Sequence, residues 1–517
     1  MVARSVGHDD AARWTLDGHG DSRYGEAFTE ASTVSHPSVT PWIVTAVIVV
    51  GSVWWSDVLV DPSGNLDRRR LVPIAVIALT VLGCLRVPRR RWAIIAVVLA
   101  IVGCWRGVSE WSVASRHVSG PLRGVVRVVE DPEWRGRALR VVIDDGTDRL
   151  EAFTYGSTAR RLTRVTAGQL IGIEGVRTSI GESDRRRLLL RHVTGRAEIV
   201  RVDVRPTGVE ASGRGFERSA NRMRAWLVRG ARVVPEADRA LLLGLLIGDD
   251  RAQDRETVAS FRDSGLAHLT AVSGQNVAFV LAVVSPLFGR FPRGVRVVAT
   301  LALLGWFAIL TRAEPSVVRA VVMAGVTTVG AALEWRRRGV DVLAVAVVIG
   351  VLVDPFLVWS IGWWLSISGC LGLAVVAPRL ETALGAGRLA RIVAPTLGAQ
   401  LGVLLVSVTV FGWPSAWSIP CNLVAGPLAG AVMLIGLPCT LVAAHVPDTI
   451  ASILMAPIAG LVRTVAVVAR LGSAVRPSPW IDASVALGVP LAVIGLSWRR
   501  TRVASSRHER PLGPRLR

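Results

Sequence analysis

Residues 267–279 read AHLTAVSGQNVAF and place five polar side chains close together between two apolar runs. These are His268, Thr270, Ser273, Gln275 and Asn276. The flanking runs are too apolar for a surface loop in water. In a lipid bilayer each polar group needs a hydrogen-bonding partner. The meaning of the stretch therefore depends on which solvent surrounds the chain.

The composition indicates that most of the chain lies in lipid. Of 517 residues, 51% are hydrophobic and 19% are charged, and the mean hydropathy is +0.46. A hydrocarbon core is crossed by about 20 apolar residues. About a dozen runs of roughly that size occur, and we predict a polytopic α-helical membrane protein with spans near 41–60, 71–86, 92–106, 266–287, 295–311, 316–333, 341–359, 362–378, 394–412, 417–436, 451–470 and 482–497.

The predicted spans leave room for one soluble domain, within 119–205. Strand-like alternation recurs there in short runs, and a helix-like piece at 158–165 separates the third run from the fourth. Five or six strands with one helix in that position predict a small closed β-barrel of the OB type. The other predicted parts are a disordered cytoplasmic tail (1–40), three transmembrane helices (41–106), a helical membrane domain (236–497) and a basic cytoplasmic tail (498–517).

Residues 214–234 predict a basic amphipathic helix. Phe216, Ala220, Met223 and Leu227 recur at helical spacing, and arginines fill the other faces. Such a helix lies on a membrane surface. The alternative is a helix that packs on the barrel and turns its arginine face to water.

Arginine-rich loops predict the orientation, because basic residues accumulate in cytoplasmic loops. Such loops occur at 86–91, 289–296, 334–341 and 378–391, and the tail after Trp498 is also basic. Placing them in the cytoplasm puts both termini inside and the barrel outside. Arg68, Arg69 and Arg70 then also lie outside, against the rule.

The composition excludes several classes of enzyme. The chain has no lysine, so all 60 basic residues are arginine, and its net charge is +21. A Walker A loop and a Schiff-base enzyme both need a lysine. The five cysteines form no CxxC pair and the eight histidines form no HxHxDH or HExxH motif, so we expect no metal and no other cofactor.

Polar and ionisable residues in or near the spans are candidates for a transport path. At about 100° per residue, His268 and Gln275 share a helix face, whereas Ser273 lies about 140° from His268. Either several helices surround this segment, or the helix breaks near Ser273 and Gly274, as in transporters. A hydrolase that uses Ser273 with His268 is a further alternative, which their separation disfavours.

Charged residues flank this segment on both sides. Asp263 lies just upstream, Arg312 and Glu314 lie at a membrane boundary, and Arg319 lies about one turn into the next span. One alternative is that they belong to the transport path. The other is that they only stabilise the helix bundle, in which case Arg312 extends to the membrane interface and Arg319 pairs with Asp263.

Five motifs in order resemble the competence block of ComEC-type DNA-uptake proteins. They are LLLGLLIGDD (241–250), FRDSGLAHLTAVSGQNVAFV (261–280), EPSVVRAVVMA (314–324), VDPFLVWSIGWWLSISGCLGLAV (353–375) and IPCNLVAGPL (419–428). The leading spans and the barrel-like insertion match the family's N-terminal layout, so the resemblance covers about 41–497. It implies a channel, not an enzyme, that admits single-stranded DNA through the cytoplasmic membrane during natural transformation.

The resemblance also implies a path and partners. The path would be lined or shaped by Asp263, His268, Ser273, Gln275, Asn276, Arg312, Glu314, Arg319 and Asn422. The partners would be single-stranded DNA, the lipid bilayer, an extracytoplasmic DNA receptor and a cytosolic helicase-like ATPase, because the chain encodes no nucleotide site. The oligomeric state stays open between a monomer and a homodimer.

Three features depart from the family pattern. The family's SGLHV is Ser273-Gly274-Gln275-Asn276-Val277 here, so Asn276 replaces a histidine and cannot titrate. The family's GFQLS reads GWWLS at 362–366. The sequence ends at Arg517 without the family's metallo-β-lactamase-like domain, so we expect a separate nuclease or an altered role. A small-solute or ion transporter on the same fold is the alternative function, since a fold does not fix its cargo.

Overall fold

The computed structural model describes residues 41–59, 90–114, 119–178, 180–203, 215–270, 274–334, 338–385 and 387–475, with scattered residues from 478 to 495. The predicted tails (1–40 and 498–517) and the predicted span at 71–86 lie outside the described residues. The described chain is mostly helical and carries one β-sheet. This set of elements is consistent with a polytopic membrane protein.

Two long apolar helices begin the described chain. Helices α1 (Pro41–Leu59) and α2 (Arg90–Ala114) pack on each other. A β-carbon at Gly107 of α2 would collide with the hydroxyl of Ser56 on α1. Small residues let helix backbones approach closely in lipid, where association depends on van der Waals packing.

Six strands follow, and residues 120–203 are called the β domain. The strands are β1 (Gly120–Val128), β2 (Glu133–Arg135), β3 (Ala138–Asp144), β4 (Arg149–Thr154), β5 (Leu170–Thr178) and β6 (Gly195–Asp203). They pair in the order β1-β5-β6-β4-β3-β2, and β1 also pairs with β3. The β4–β6 pair is parallel. Helix α3 (Gly156–Leu162) connects β4 to β5, and helix α4 (Glu182–Leu189) connects β5 to β6.

Alternating apolar residues fill the interior of the β domain. A strand turns successive side chains to opposite faces, and α3 adds Ala159 and Leu162 to the same core. The nearly fully buried strand residues include Val126, Leu139, Val141, Ile143, Leu150, Ile171 and Ile199. Strands therefore form at the runs where the sequence alternates, while the closed OB-type barrel stays a prediction.

The remaining helices make up the membrane domain and the helix that precedes it, α5. They are α5 (Gly215–Gly230), α6 (Glu236–Ile247), α7 (Arg255–Asp263), α8 (Ala267–Thr270), α9 (Gly274–Phe288), α10 (Arg293–Leu310), α11 (Pro315–Ala332), α12 (Gly339–Val353), α13 (Ile361–Leu371), α14 (Ala377–Leu384), α15 (Arg388–Phe411), α16 (Ser418–Ala431), α17 (Leu437–Ala443) and α18 (Asp448–Ala474).

Six helical segments of the described chain are long and apolar enough to cross a membrane: Ile94–Ser112, Arg293–Leu310, Ile361–Leu384, Arg388–Phe411, Ser418–Ala443 and Asp448–Ala474. Shorter apolar helices cover Pro41–Asp57, Gly274–Phe288, Ser316–Ala332 and Gly339–Val353. The predicted span at 71–86 and half of the one at 482–497 lie outside the described residues. The total of about twelve spans therefore stays a prediction.

Helix α5 carries the predicted amphipathic pattern and contacts both parts of the protein. Its buried residues include Ala220 and Leu227, and it packs on α10 and α17. Its Glu217 forms an ion pair with Arg127 of β1 at 3.1 Å. Its arginines at 218, 222 and 229 stay exposed. Helix α5 therefore contacts the β domain as well as helices of the membrane domain. Its placement on a membrane surface stays a prediction.

Two of the long apolar segments contain a π-helical turn. Helix α13 continues through Gly372–Val376 into α14, and α16 continues through Val432–Gly436 into α17. Pro378 and Pro438 follow these turns. Proline lacks an N–H, and its ring clashes with the carbonyl four residues earlier, so a wider turn relieves the clash.

Helices α13 and α15 meet at backbone distance through glycines. A β-carbon at Gly402 would collide with the carbonyl oxygen of Ser368, and one at Gly372 would collide with the carbonyl oxygen of Gly398. Gly398 and Gly402 lie four residues apart on one face of α15. This small-xxx-small pattern holds helices together in a bilayer.

We expect Gly402→Ala to destabilise the membrane domain. The new methyl group meets a backbone oxygen rather than a movable side chain, and overpacking of this kind costs on the order of 1–3 kcal/mol. The measurement is the midpoint of thermal unfolding of the detergent-purified chain. The control is Gly460→Ala on α18, where nothing lies within 4 Å of the added carbon. Equal midpoints for both variants would contradict the predicted contact.

Candidate functional site

A carboxylate of the β domain lies at the centre of an ion cluster. Asp131, between β1 and β2, accepts hydrogen bonds from Arg312 Nε at 3.0 Å and Nη2 at 2.7 Å. The backbone N–H of Ala167 donates a third at 2.8 Å. Arg224 and Arg251 approach Oδ2 to 3.4 and 3.7 Å. The Asp131 side chain is 6% exposed, so its charge is balanced by protein groups rather than by water.

The charges around Asp131 decide its ionisation state. Burial by itself would raise the pKa of Asp131. The guanidiniums of Arg312 and Arg224 and the N–H of Ala167 outweigh burial and hold that pKa below its usual range. Asp131 is therefore ionised at neutral pH and forms true ion pairs.

A second buried carboxylate, Asp249, completes the cluster. Helix α6 ends at Gly248, whose φ of 70° lies in the left-handed region and turns the chain. Asp249 accepts two hydrogen bonds from Arg251, both at 2.7 Å, and one from Arg224 at 3.0 Å. Burial opposes the charge of Asp249, but Arg251 keeps its pKa low. We call Asp131, Arg224, Asp249, Arg251 and Arg312 the junction cluster.

Helix α5 positions the junction cluster from the side of the membrane domain. Arg224 donates through Nη1 to the carbonyl of Leu310, the last residue of α10, at 3.0 Å. Asn221 donates to the carbonyl of Ala167 at 2.9 Å and accepts from Arg312 Nη1 at 2.9 Å. Because residues three apart lie on one side of a helix, one face of α5 contacts both the β domain and α10.

The loop between α10 and α11 is strained at the point where it meets the cluster. Arg312 and Ala313 adopt φ values of 61° and 52°, and each left-handed non-glycine residue costs roughly 1–2 kcal/mol. The Ala313 N–H donates to the carbonyl of Ala308 at 2.7 Å, and Arg312 is held by Asp131. Such strain persists only where surrounding contacts enforce it.

Two acids lie beside the junction cluster. Glu314 precedes Pro315 at the start of α11, and burial, followed by repulsion from Asp250, raises the pKa of Glu314 to about 7. Burial, together with the negative charges of Asp249 and Glu133, also raises the pKa of Asp250. The predicted residue Glu314 is therefore about half protonated near pH 7.

The polar stretch after α7 is brought against α16. Gly265 adopts a φ of 76°, and a β-carbon there would collide with Ser418 at the start of α16. This close approach brings His268 beside Asn422, with which its ring forms a hydrogen bond. The backbone of Gly265 forms a second hydrogen bond with the His268 ring.

The other polar residues of this stretch divide between packing and exposure. Asn276 is buried and donates to the carbonyl of Leu245 on α6 at 3.2 Å. Gln275 is exposed. Residues 271–273, and with them Ser273, lie outside the described residues. Helix α9 begins at Gly274, directly after these residues, so the break near Ser273 and Gly274 stays a prediction.

Arg319 is a buried cation with neutral partners. It lies in α11, is 6% exposed, and donates to the carbonyls of Ser316 at 3.2 Å and Gly362 at 3.5 Å. The thiol of Cys370 lies near its guanidinium. Within the described residues, no carboxylate lies within 4 Å of Arg319. The pairing with Asp263 that the sequence left open is therefore absent, and Asp263 makes its contacts elsewhere.

The predicted residues thus fall into separate groups. His268 meets Asn422, Arg312 and Glu314 lie at the junction with the β domain, and Arg319 lies within the membrane helices. Whether they line a path stays a prediction. The sequence missed Asp131, Asn221 and Arg224, for which it carries no local signal, although the charged turn at 248–251 was visible.

The outer face of strands β3, β4 and β6 is covered by ion pairs. Arg140, 4% exposed, donates to Glu151 at 2.6 Å and to Glu130 at 3.0 Å. Arg196 pairs with Glu151 at 3.3 Å and Asp184 at 2.7 Å. These arginines are neutralised by acids of the same domain, so this face offers little free positive charge.

We expect the stability of the protein to fall between about pH 4.5 and pH 7 through Glu314. A carboxyl group whose folded pKa is raised is protonated in the native state while it ionises in the unfolded chain. Its stabilising contribution is full below the unfolded pKa and is lost as pH rises through the folded pKa. The measurement is the unfolding midpoint against pH for wild type and Glu314→Gln, which should flatten this part of the curve. A Glu256→Gln control on α7 should leave it unchanged; parallel curves for all three chains would contradict the assignment.

Comparison with known proteins agrees with the motifs. The profile of the competence protein family matches residues 245–501. ComE operon protein 3 of Bacillus subtilis (strain 168) is 26% identical over 200 residues, which are 38% of this chain and 25% of that protein. The chain thus spans about a quarter of that relative's length. No solved structure matches. Residues 245–501, which include most of the membrane domain, therefore match the competence protein family, in agreement with the ComEC-type motifs.

Proposed function

We propose that this protein is a channel through which single-stranded DNA crosses the cytoplasmic membrane during natural transformation. The observation that carries the proposal is the family match over the membrane domain. The chain corresponds to part of its relative, so the proposal rests on this domain and on the chemistry of its own residues.

Arg319 gives the proposal a physical basis. A guanidinium stays protonated in proteins, and an ionisable group within membrane helices is costly unless it is paired or wet. Carbonyl oxygens satisfy some of its N–H groups and leave its charge without a counterion among the described residues. A phosphodiester is an anion that a guanidinium binds through two parallel hydrogen bonds. We propose that DNA phosphates pass Arg319 in turn.

The uncharged polar residues suit the rest of a nucleotide. His268, Asn422 and Gln275 offer donors and acceptors without fixed negative charge, so they repel no phosphate. We propose that His268 and Asn422 lie on the path, and that Asn276, which is buried against Leu245, shapes the path. Asp263 and Ser273 complete the proposed set. No covalent chemistry is required of any of them.

The strand order supports an OB-type barrel. Without the short β2, the order β1-β5-β6-β4-β3 returns to β1, one pair is parallel, and a helix lies between β4 and β5. The OB fold is a five-stranded Greek-key barrel. Because acids pair with the arginines of β3 and β6, we propose that this barrel guides the strand to the membrane domain rather than holding it tightly by itself.

The remaining proposals concern setting and partners. We propose about twelve spans, cytoplasmic termini, an extracytoplasmic β domain and α5 at the membrane surface. An extracytoplasmic receptor would deliver DNA, a separate nuclease would remove one strand, and a cytosolic helicase-like ATPase would pull the other. The protein would act as a monomer or a homodimer.

A small-anion transporter is the second candidate. The same buried guanidinium would attract any small anion, and His268 beside Asn422 would bind a neutral part of a solute. Flux of small anions through the reconstituted chain that single-stranded DNA does not inhibit would favour this candidate over the channel.

We expect Arg319→Ala to lower uptake of nuclease-protected, end-labelled DNA. Hydrogen bonds to charged groups contribute about 1.5–3 kcal/mol, so passage should slow roughly 10- to 100-fold. The assay compares wild type, a gene deletion and the variant in the organism that carries the gene, at matched membrane levels. Arg319→Lys keeps the charge and should retain part of the uptake.

The matched control is Arg388→Ala, which removes one exposed arginine at the start of α15. It should take up DNA like wild type. If the deletion strain takes up as much protected DNA as wild type, the channel proposal fails. If the deletion abolishes uptake of protected DNA but Arg319→Ala takes up as much as wild type, the channel proposal is retained and Arg319 is not part of the path.

A further inference from the structure

Three guanidiniums converge on one carboxylate in the junction cluster. Arg312 binds Asp131 through two N–H groups, as it would bind any planar or tetrahedral oxyanion. Arg224 and Arg251 approach the same Asp131 oxygen. The arrangement has the donor set of an anion-binding site, and a side chain of the β domain occupies it.

The charges of this site are unbalanced. Three arginines face the two carboxylates Asp131 and Asp249, and the neighbouring Glu314 is not fully ionised near pH 7. Asp249 is tied to Arg251 by two short hydrogen bonds, so Asp131 is the carboxylate that comes from a different part of the protein. If Asp131 moved out, three guanidiniums would face one carboxylate and would attract a new anion.

The position of the site connects the two parts of the chain. Asp131 belongs to the β domain, while the arginines belong to α5, to the turn after α6 and to the loop before α11. Arg251 is 38% exposed on its side chain, so the site opens to solvent there. Arg312 lies in the loop that leads into α11, and Arg319 lies about one turn into that helix, so both arginines would serve one strand.

We propose that Asp131 stands in for a DNA phosphate, and that a phosphodiester of the entering strand displaces Asp131 and binds Arg224, Arg251 and Arg312. This inference rests on the proposed function and names the point at which the strand passes from the β domain to the membrane domain. Displacement also frees Arg312 from the contact that holds the strained loop, so strand binding and a change of that loop are coupled.

A purely structural role for Asp131 makes the opposite prediction for DNA binding. A buried ion pair that loses one partner leaves an uncompensated charge and destabilises the fold. Asp131→Asn would then weaken the protein without improving binding. If Asp131 competes with phosphate, the same change makes binding tighter.

The test measures binding of a fluorescein-labelled 30-mer of deoxythymidine to the full chain in lipid nanodiscs, by fluorescence anisotropy across a salt series. We expect Asp131→Asn to bind at least fivefold more tightly than wild type. Its dependence on salt should steepen by about 0.7 in the log–log slope for each additional phosphate that the arginines neutralise. The matched control is Asp145→Asn, which removes the same charge from a buried pair with Arg177 in the same domain.

If Asp131→Asn binds the oligonucleotide like Asp145→Asn, or more weakly than wild type, the inference is overturned. The channel proposal is still supported in that case, provided that the wild-type chain binds the oligonucleotide. If neither wild type nor variant binds the oligonucleotide, both proposals fail. Thermal unfolding of each chain verifies that the proteins are folded.

A second pair of variants keeps the test decisive if Asp131→Asn does not fold. Arg251→Gln removes the most exposed arginine of the site and should weaken binding several-fold and flatten the salt dependence. Arg149→Gln, an exposed arginine paired with Asp144 at 3.7 Å, should leave both unchanged. Equal binding by these two variants overturns the inference.

Discussion

The ion pair between Asp131 and Arg312 lies at the centre of the contact between the β domain and the membrane domain. A buried carboxylate is tolerated only with partners, and the partners of Asp131 come from three separate segments of the membrane domain. Arg224 in turn reaches the end of α10, and Asn221 reaches back to the β domain. Arg312 and its neighbour Ala313 have left-handed φ values, and their backbone N–H groups donate to the carbonyls of Ile309 and Ala308 at the end of α10. The ion pair of Asp131 with Arg312 and the left-handed turn therefore meet at the start of α11.

Two kinds of arginine result from this arrangement. Those of the junction cluster and those on the outer face of β3 and β6 have carboxylate partners within the protein, so each of these guanidiniums is paired. Arg319 has carbonyl partners and no carboxylate partner among the described residues. The net charge of +21 by itself suggests a surface that gathers DNA everywhere. The pairing pattern instead shows that many of the described arginines already have acidic partners within the protein.

Close backbone contacts explain several sequence features that composition alone does not. Gly265 lets the polar stretch lie against Ser418, which brings His268 to Asn422 from distant parts of the chain. Gly372, Gly398 and Gly402 let α13 and α15 meet without side chains between them. The prolines after the two π turns mark where the long helices widen. In the sequence alone, each of these positions is an ordinary small residue or proline. Its role is visible only when the segment that packs against it is known.

The sequence by itself determined the solvent, the apolar helices, the strand runs of the β domain and the family, because hydropathy, alternation and short motifs are local properties. It also singled out Arg312, Glu314, Arg319 and His268 as unusual in their surroundings. Only the tertiary structure decided their partners. It paired Arg312 with Asp131, which lies 181 residues away, separated Arg319 from Asp263, and joined His268 to Asn422. Electrostatic and steric partners depend on distances in space, and a single sequence carries no information about which distant residues approach one another.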